Sequence, residues 1–125
     1  MKPLFTPTLG FLLIGILLLS FQCGKEPICT EEFRTIGVFV IGESLDEFYT
    51  IHESSGDTLH FEYDATNQNF YPVLDDSYKY YFTHSTETFL FYGIRNGQVV
   101  IEETFVIKAD ECHIDKVSGV ESVVI

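Results

Sequence analysis

The chain has 125 residues with 19 acidic and seven basic side chains, a formal net charge of −12. That length accommodates one modest core, and a field of that sign repels nucleic acid and anionic membrane surfaces, so a nucleic-acid partner is excluded. The acids are spread along the chain and not gathered in a tail, so their first meaning is solubility.

The first residues are unlike the rest. After Lys2 the chain is uncharged from Pro3 to Gln22, and Leu9–Leu19 is almost wholly Leu, Ile, Phe and Gly. This is the n-region and h-region of an export signal, and Thr6-Pro7-Thr8 in the first half of the apolar run favours that over a permanent membrane helix, which needs about 20 residues. The run ends at Ser20-Phe21-Gln22-Cys23-Gly24. Leu19–Cys23 resembles the signal of bacterial lipoproteins, in which a cysteine after a Leu-rich core is acylated and becomes the first mature residue. Phe21 and Gln22 stand where small residues are usual. The resemblance implies a signal peptide over 1–22, lipid attachment at Cys23 and a place in the cell envelope, the outer membrane of a Gram-negative bacterium. Lys25-Glu26 is half of a surface-export tag and Pro27 interrupts it, so surface and periplasmic faces both stay open. A retained membrane helix, or a Cys23–Cys29 bridge in a small terminal loop, are the alternatives. Acylation also removes an odd thiol from an oxidising compartment. With the leader gone, six basic residues face 19 acidic ones, for a net charge of −13.

A short tether, residues 23–28, leads into a region from 29 to 125 rich in β-branched and aromatic residues, with turn signals every eight to twelve positions. The expected strands are Phe33–Ile41, Glu47–Glu53, Thr58–Asp64, Ser77–His84, Glu87–Ile94, Gln98–Ala109 and Val117–Ile125. Ser54-Ser55-Gly56-Asp57 and Asn96-Gly97 supply hairpin turns, the second with the positive φ angles of a type I′ turn. Along Gln98–Ala109, Val99, Ile101, Phe105, Ile107 and Ala109 share an inward face, and Glu103 interrupts it as a bulge or rim residue. The expected fold is all-β, a single antiparallel sandwich of about seven strands, immunoglobulin-like or transthyretin-like. The Cys…Trp…Cys core of true immunoglobulin domains is absent. The stretch Asp110–Gly119 resembles the ends of small bacterial lipoprotein domains with such folds, and implies no function.

If successive strands reverse direction, the first begins and the sixth ends at one end of the sandwich. Cys29 precedes the first and Cys112 follows the sixth, so the two are expected to pair, stabilising by roughly 4 kcal/mol in the chain-entropy model. The same alternation sends Gly42–Asp46, Ala65–Asp76 and Arg95–Gly97 to the opposite end. Loops on a rigid scaffold are the usual binding sites, so Glu43, Asp46, Phe70, Tyr71, Asp75 and Asp76 are the candidate binding residues. Oxygen-rich loops can hold calcium, but no Asp-x-Asp-x-Asp-Gly loop is present, and Tyr71-Pro72 also suits a cover over the core. His60, Glu62 and Asp64 share one strand face at metal-ligand spacing, a pattern more usual for a solvated face, so no metal or other cofactor is expected. Asp57-Thr58-Leu59 resembles an Asp-Ser/Thr-apolar acceptor used for O-glycosylation of exported proteins, which would make Thr58 the modified residue. No Gly-x-Ser-x-Gly elbow, phosphate-cradling loop or His-Glu-x-x-His helix occurs. The expectation is a membrane-anchored binding or structural module contacting an envelope protein or glycan, not an enzyme. A small lipoprotein enzyme and an accessory subunit of an envelope transport or secretion complex are the alternatives.

Overall fold

The computed structural model describes residues 28–125, so the leader, Cys23 and most of the tether lie outside the described residues. Two sheets pack face to face. The strands are β1 (Thr35–Ile41), β2 (Glu47–His52), β3 (Thr58–Leu59), β4 (Phe70–Asp75), β5 (Ser85–Arg95), β6 (Gln98–Ala109), β7 (Ile114–Ser118) and β8 (Ser122–Val124). They form a three-stranded sheet in the order β4-β1-β8 and a five-stranded sheet in the order β3-β2-β5-β6-β7. The fold is an all-β sandwich. Pairing is antiparallel except between β1 and β8, which run parallel. The first two strands lie in opposite sheets, which differs from the constant-type immunoglobulin order.

The β5–β6 hairpin forms where Asn96 and Gly97 take φ of 53° and 73°, the left-handed pair that a two-residue turn with matching twist requires. Between the sheets Val38, Val40, Val73 and Leu74 meet Phe89, Phe91, Phe105 and Ile107, all buried. A bulge leaves Val73 outside the β1–β4 register, and the buried Thr50 hydroxyl of β2 donates to its carbonyl at 2.6 Å. One hydrogen bond thus satisfies a backbone group that the ladder omits and ties one sheet to the other.

Four expectations need correction. Ser77–His84 is not a strand: Asp75 caps the backbone N–H of Ser77 and starts a 3₁₀ helix over Asp76–Tyr81. The fourth strand is Phe70–Asp75, expected as loop, where Pro72 suits the edge of a sheet. Thr58–Asp64 keeps its alternation, with Leu59 and Phe61 packed against the core, but only Thr58–Leu59 pairs with β2. Val117–Ile125 breaks at Gly119 (φ 142°), where a Cβ would lie 2.3 Å from the Phe105 ring; β7 and β8 then belong to different sheets.

Within β6 the irregularity falls between the Gly93–Ile101 and Ile94–Val99 pairs, not at Glu103, which sits in register opposite Phe91. The extra residue there, Val100, shifts the alternation and leaves Val99 exposed. The Cys29–Cys112 disulfide is present, with 5.2 Å between the Cα atoms.

Candidate functional site

Replacing one expected strand by another keeps the number of chain reversals, which is why the disulfide forms as expected. It also redistributes the candidate binding residues. β4 runs antiparallel to β1 with Phe70 opposite Phe39 and Asp75 opposite Thr35. By Asp75 the chain has therefore returned to the disulfide end, and Asp75 and Asp76 do not join Glu43 and Asp46 at the far end. There, Glu43 pairs with the Arg95 guanidinium, and Asp46 accepts from the Asn96 backbone N–H at 2.7 Å. Both acids clamp the β1–β2 loop to the β5–β6 turn. Tyr71 is buried, with its hydroxyl accepting from the Leu45 N–H at 3.0 Å, so it is core and not a contact residue. Phe70 is half-buried and lies over Gly37, where a Cβ would come within 2.4 Å of its ring.

Asp76 is the centre of a buried knot. Its Oδ2 accepts from the Arg34 N–H at 2.7 Å and from His113 Nδ1 at 2.9 Å, and its Oδ1 accepts from the Ile114 N–H at 2.8 Å. On the other side of the ring the Thr30 hydroxyl lies 2.8 Å from His113 Nε2. Burial pushes the Asp76 carboxyl upward, but the bonds from His113 and the two amides outweigh it and hold it below the usual carboxylate range. Asp110, which accepts from the backbone N–H groups of His113 and Cys112, is held low for the same reason. Hydroxyl, imidazole and carboxylate in this order are also the parts of a nucleophilic relay. Here both Asp76 oxygens are engaged in binding backbone, and the three residues act as a clasp on the strap 28–34 beside the disulfide.

A second buried imidazole, His52, lies flat on Phe89 with 4.7 Å between centroids, meets the Tyr78 hydroxyl at 2.8 Å through Nδ1, and pairs with Glu87 through Nε2. The Ser54 hydroxyl donates to the same Glu87 oxygen at 2.6 Å, and chiefly this bond, then His52, keeps the Glu87 carboxyl low against the opposing effect of burial. Burial raises the Tyr78 phenol. Ser54 and Glu87 meet at the same ring nitrogen, so the group lacks the two-sided geometry of an activated serine. It fastens β2, β5 and the 3₁₀ helix. Neither histidine knot was legible in the sequence. The only signal for His52 was its place on the inward side of a strand.

Among the described residues a cleft of about 470 Å³ lies open on the flank of the sandwich. One wall is the extended segment after β3, which contributes His60, Phe61, Glu62 and Asp64; the other is Thr35 of β1 with Phe70, Pro72 and Asp75 of β4, and Asn67 belongs to the connecting loop. The first wall is held in place by Tyr63, which stacks on Tyr71 at 4.9 Å and accepts the Asn69 N–H at 3.1 Å. The hydroxyl and then the amide of Thr66 hold the Asp64 carboxyl below the usual carboxylate range. His60, Glu62 and Asp64 thus line one cleft together with Phe61, across from Phe70 and Asp75, in a segment that is extended but unpaired beyond Leu59. Among the described residues no three His, Cys, Asp or Glu side chains converge to hold a metal ion. Thr58 is exposed at the start of β3. Comparison with protein-family models, curated proteins and solved structures yields no match to this chain.

Proposed function

We infer that this chain is a lipid-anchored envelope protein whose sandwich is a binding module, and that its flank cleft takes a glycan. The observation that carries this reading is the composition of the cleft: carboxylates of Glu62, Asp64 and Asp75 beside the rings of Phe61 and Phe70 and the Pro72 edge. Carboxylates accept hydrogen bonds from sugar hydroxyls, and aromatic and proline surfaces cover the apolar faces of a pyranose. Rigid walls limit the ordering cost of binding, because the disulfide and the two histidine knots already fix the scaffold. Anchoring at Cys23 is the partner of this reading, since it keeps the cleft within reach of envelope polysaccharide. The test is titration of the purified protein with soluble envelope glycan fragments, alongside the Glu62→Gln/Asp64→Asn pair. Saturable binding weakened about tenfold or more in the double variant is expected. Equal binding by both proteins, or none by either, overturns the reading.

A further inference from the structure

We propose that the disulfide end of the sandwich is a lipid-contact face, which rests on the reading of Cys23 as the acylated residue. Among the described residues five large apolar or aromatic side chains are more than 60% exposed, and four of them lie at this end: Ile28 at 98%, Phe33 at 63%, Tyr80 at 73% and Tyr81 at 72%. The segments that carry them are tied to one another. Cys29 is bonded to Cys112, whose carbonyl accepts from Lys79 Nζ at 2.9 Å, and the Arg34 N–H is held by Asp76 at the start of the 3₁₀ helix. The rings are braced outward. Tyr81 stacks on Tyr78 at 4.6 Å, and Lys79 Nζ stands 5.0 Å from the Tyr80 centroid.

Exposed rings at one end cost solvation and add nothing to the core, so they suit a surface with an apolar layer beneath a polar one. Tyrosine meets that environment well, with its ring among the upper acyl carbons and its hydroxyl among the headgroups. The chain itself names the surface. Cys23 precedes Ile28 by five residues, a reach of at most about 18 Å when fully extended. Acyl chains at Cys23 therefore bring this end, and not the hairpin end, to the bilayer. A single apolar contact of this size adds a second weak membrane signal to the covalent one, fixing orientation more than affinity. The charge at the same end narrows the lipid. The exposed Glu31, Glu32, Glu53, Asp57 and Glu111 outnumber Lys79 and Lys108 there, which favours zwitterionic over anionic headgroups. The cleft starts at this end with Thr35 and Asp75 and opens along the flank, parallel to the direction in which the sandwich rises from the lipid.

The chain has no Trp, so single Trp probes report cleanly. The acylated full-length protein is placed in phosphatidylcholine vesicles with brominated acyl chains, as Phe33→Trp, Tyr80→Trp and, at the hairpin end, Val99→Trp. Intact mass records the acyl chains and the disulfide of each variant. The expected result is that Phe33→Trp and Tyr80→Trp lose about half their emission or more while Val99→Trp keeps it, and that phosphatidylglycerol weakens the quenching at low ionic strength and salt restores it. An acylated protein in which Tyr80→Trp is quenched no more than Val99→Trp overturns this proposal alone. A mass without acyl chains overturns the anchor reading and the proposal with it.

Discussion

The two ends of the sandwich use the same residue types to different effect. At the disulfide end Asp76 is 3% exposed and holds two backbone amides and an imidazole. At the hairpin end the Glu43 side chain is 76% exposed and holds one guanidinium across a loop. A carboxylate withdrawn from water cannot lose its partners without a large penalty, whereas one in water exchanges them for solvent. Asp76 and Glu43, both unremarkable loop acids in the sequence, therefore differ in kind: the first is a buried structural group and the second a solvated one.

Removing the clasp at the disulfide end gives the largest effect. A Cys29→Ala/Cys112→Ala chain is expected to lose about 4 kcal/mol in denaturant unfolding, since the closed loop spans most of the domain. Asp76→Ala comes next, at about 3 kcal/mol, because it orphans two buried amides and the His113 ring. Its pH signature separates it from ordinary core damage. Asp76 and Asp110 have depressed folded-state values, so the unfolded chain binds more protons in acid, and stability is lost as pH falls from about 4 through their lower folded values. Thermal unfolding between pH 5 and pH 2 should show a shallower acid slope for Asp76→Ala than for the parent. Thr50→Val, which removes the bond between the sheets and leaves the Val73 carbonyl unpaired, should cost about 1 to 2 kcal/mol. At the hairpin end Glu43→Gln should leave the unfolding midpoint unchanged within error. A shift there comparable to that of Asp76→Ala would erase the distinction between the ends.

What was legible in the sequence follows from which interactions are local. Asn96-Gly97 names its own turn, because the φ angles it adopts are a property of those two residues. The hydrophobic alternation from Ile101 to Ala109 orients β6 for a similar reason. Phe70–Leu74 misleads because all five residues are apolar, with Pro72 among them, so neither period is visible; the strand exists through its pairing with β1 and the bulge at Val73. Ser77–Phe82 misleads in the other direction. It has the composition of a strand, with three tyrosines in six residues, but Asp75 caps Ser77 and the chain turns into a 3₁₀ helix. The cleft needed both corrections, since its second wall is β4. The nearness of His60, Glu62 and Asp64 follows from their spacing, whereas their apposition to Asp75 and Phe70 is a tertiary fact.

The Cys29–Cys112 bond also has a mechanical meaning. Force arriving through the tether at residue 28 meets a covalent junction before it meets a ladder. The junction passes the load to the end of β6, which has β5 on one side and β7 on the other. Without it the same pull would reach β1 through the strap and draw that strand lengthwise against β4 and β8. A domain pulled at this corner thus takes tension on a strand held by neighbours on both sides, and β1 with the cleft wall beside it is spared the strain.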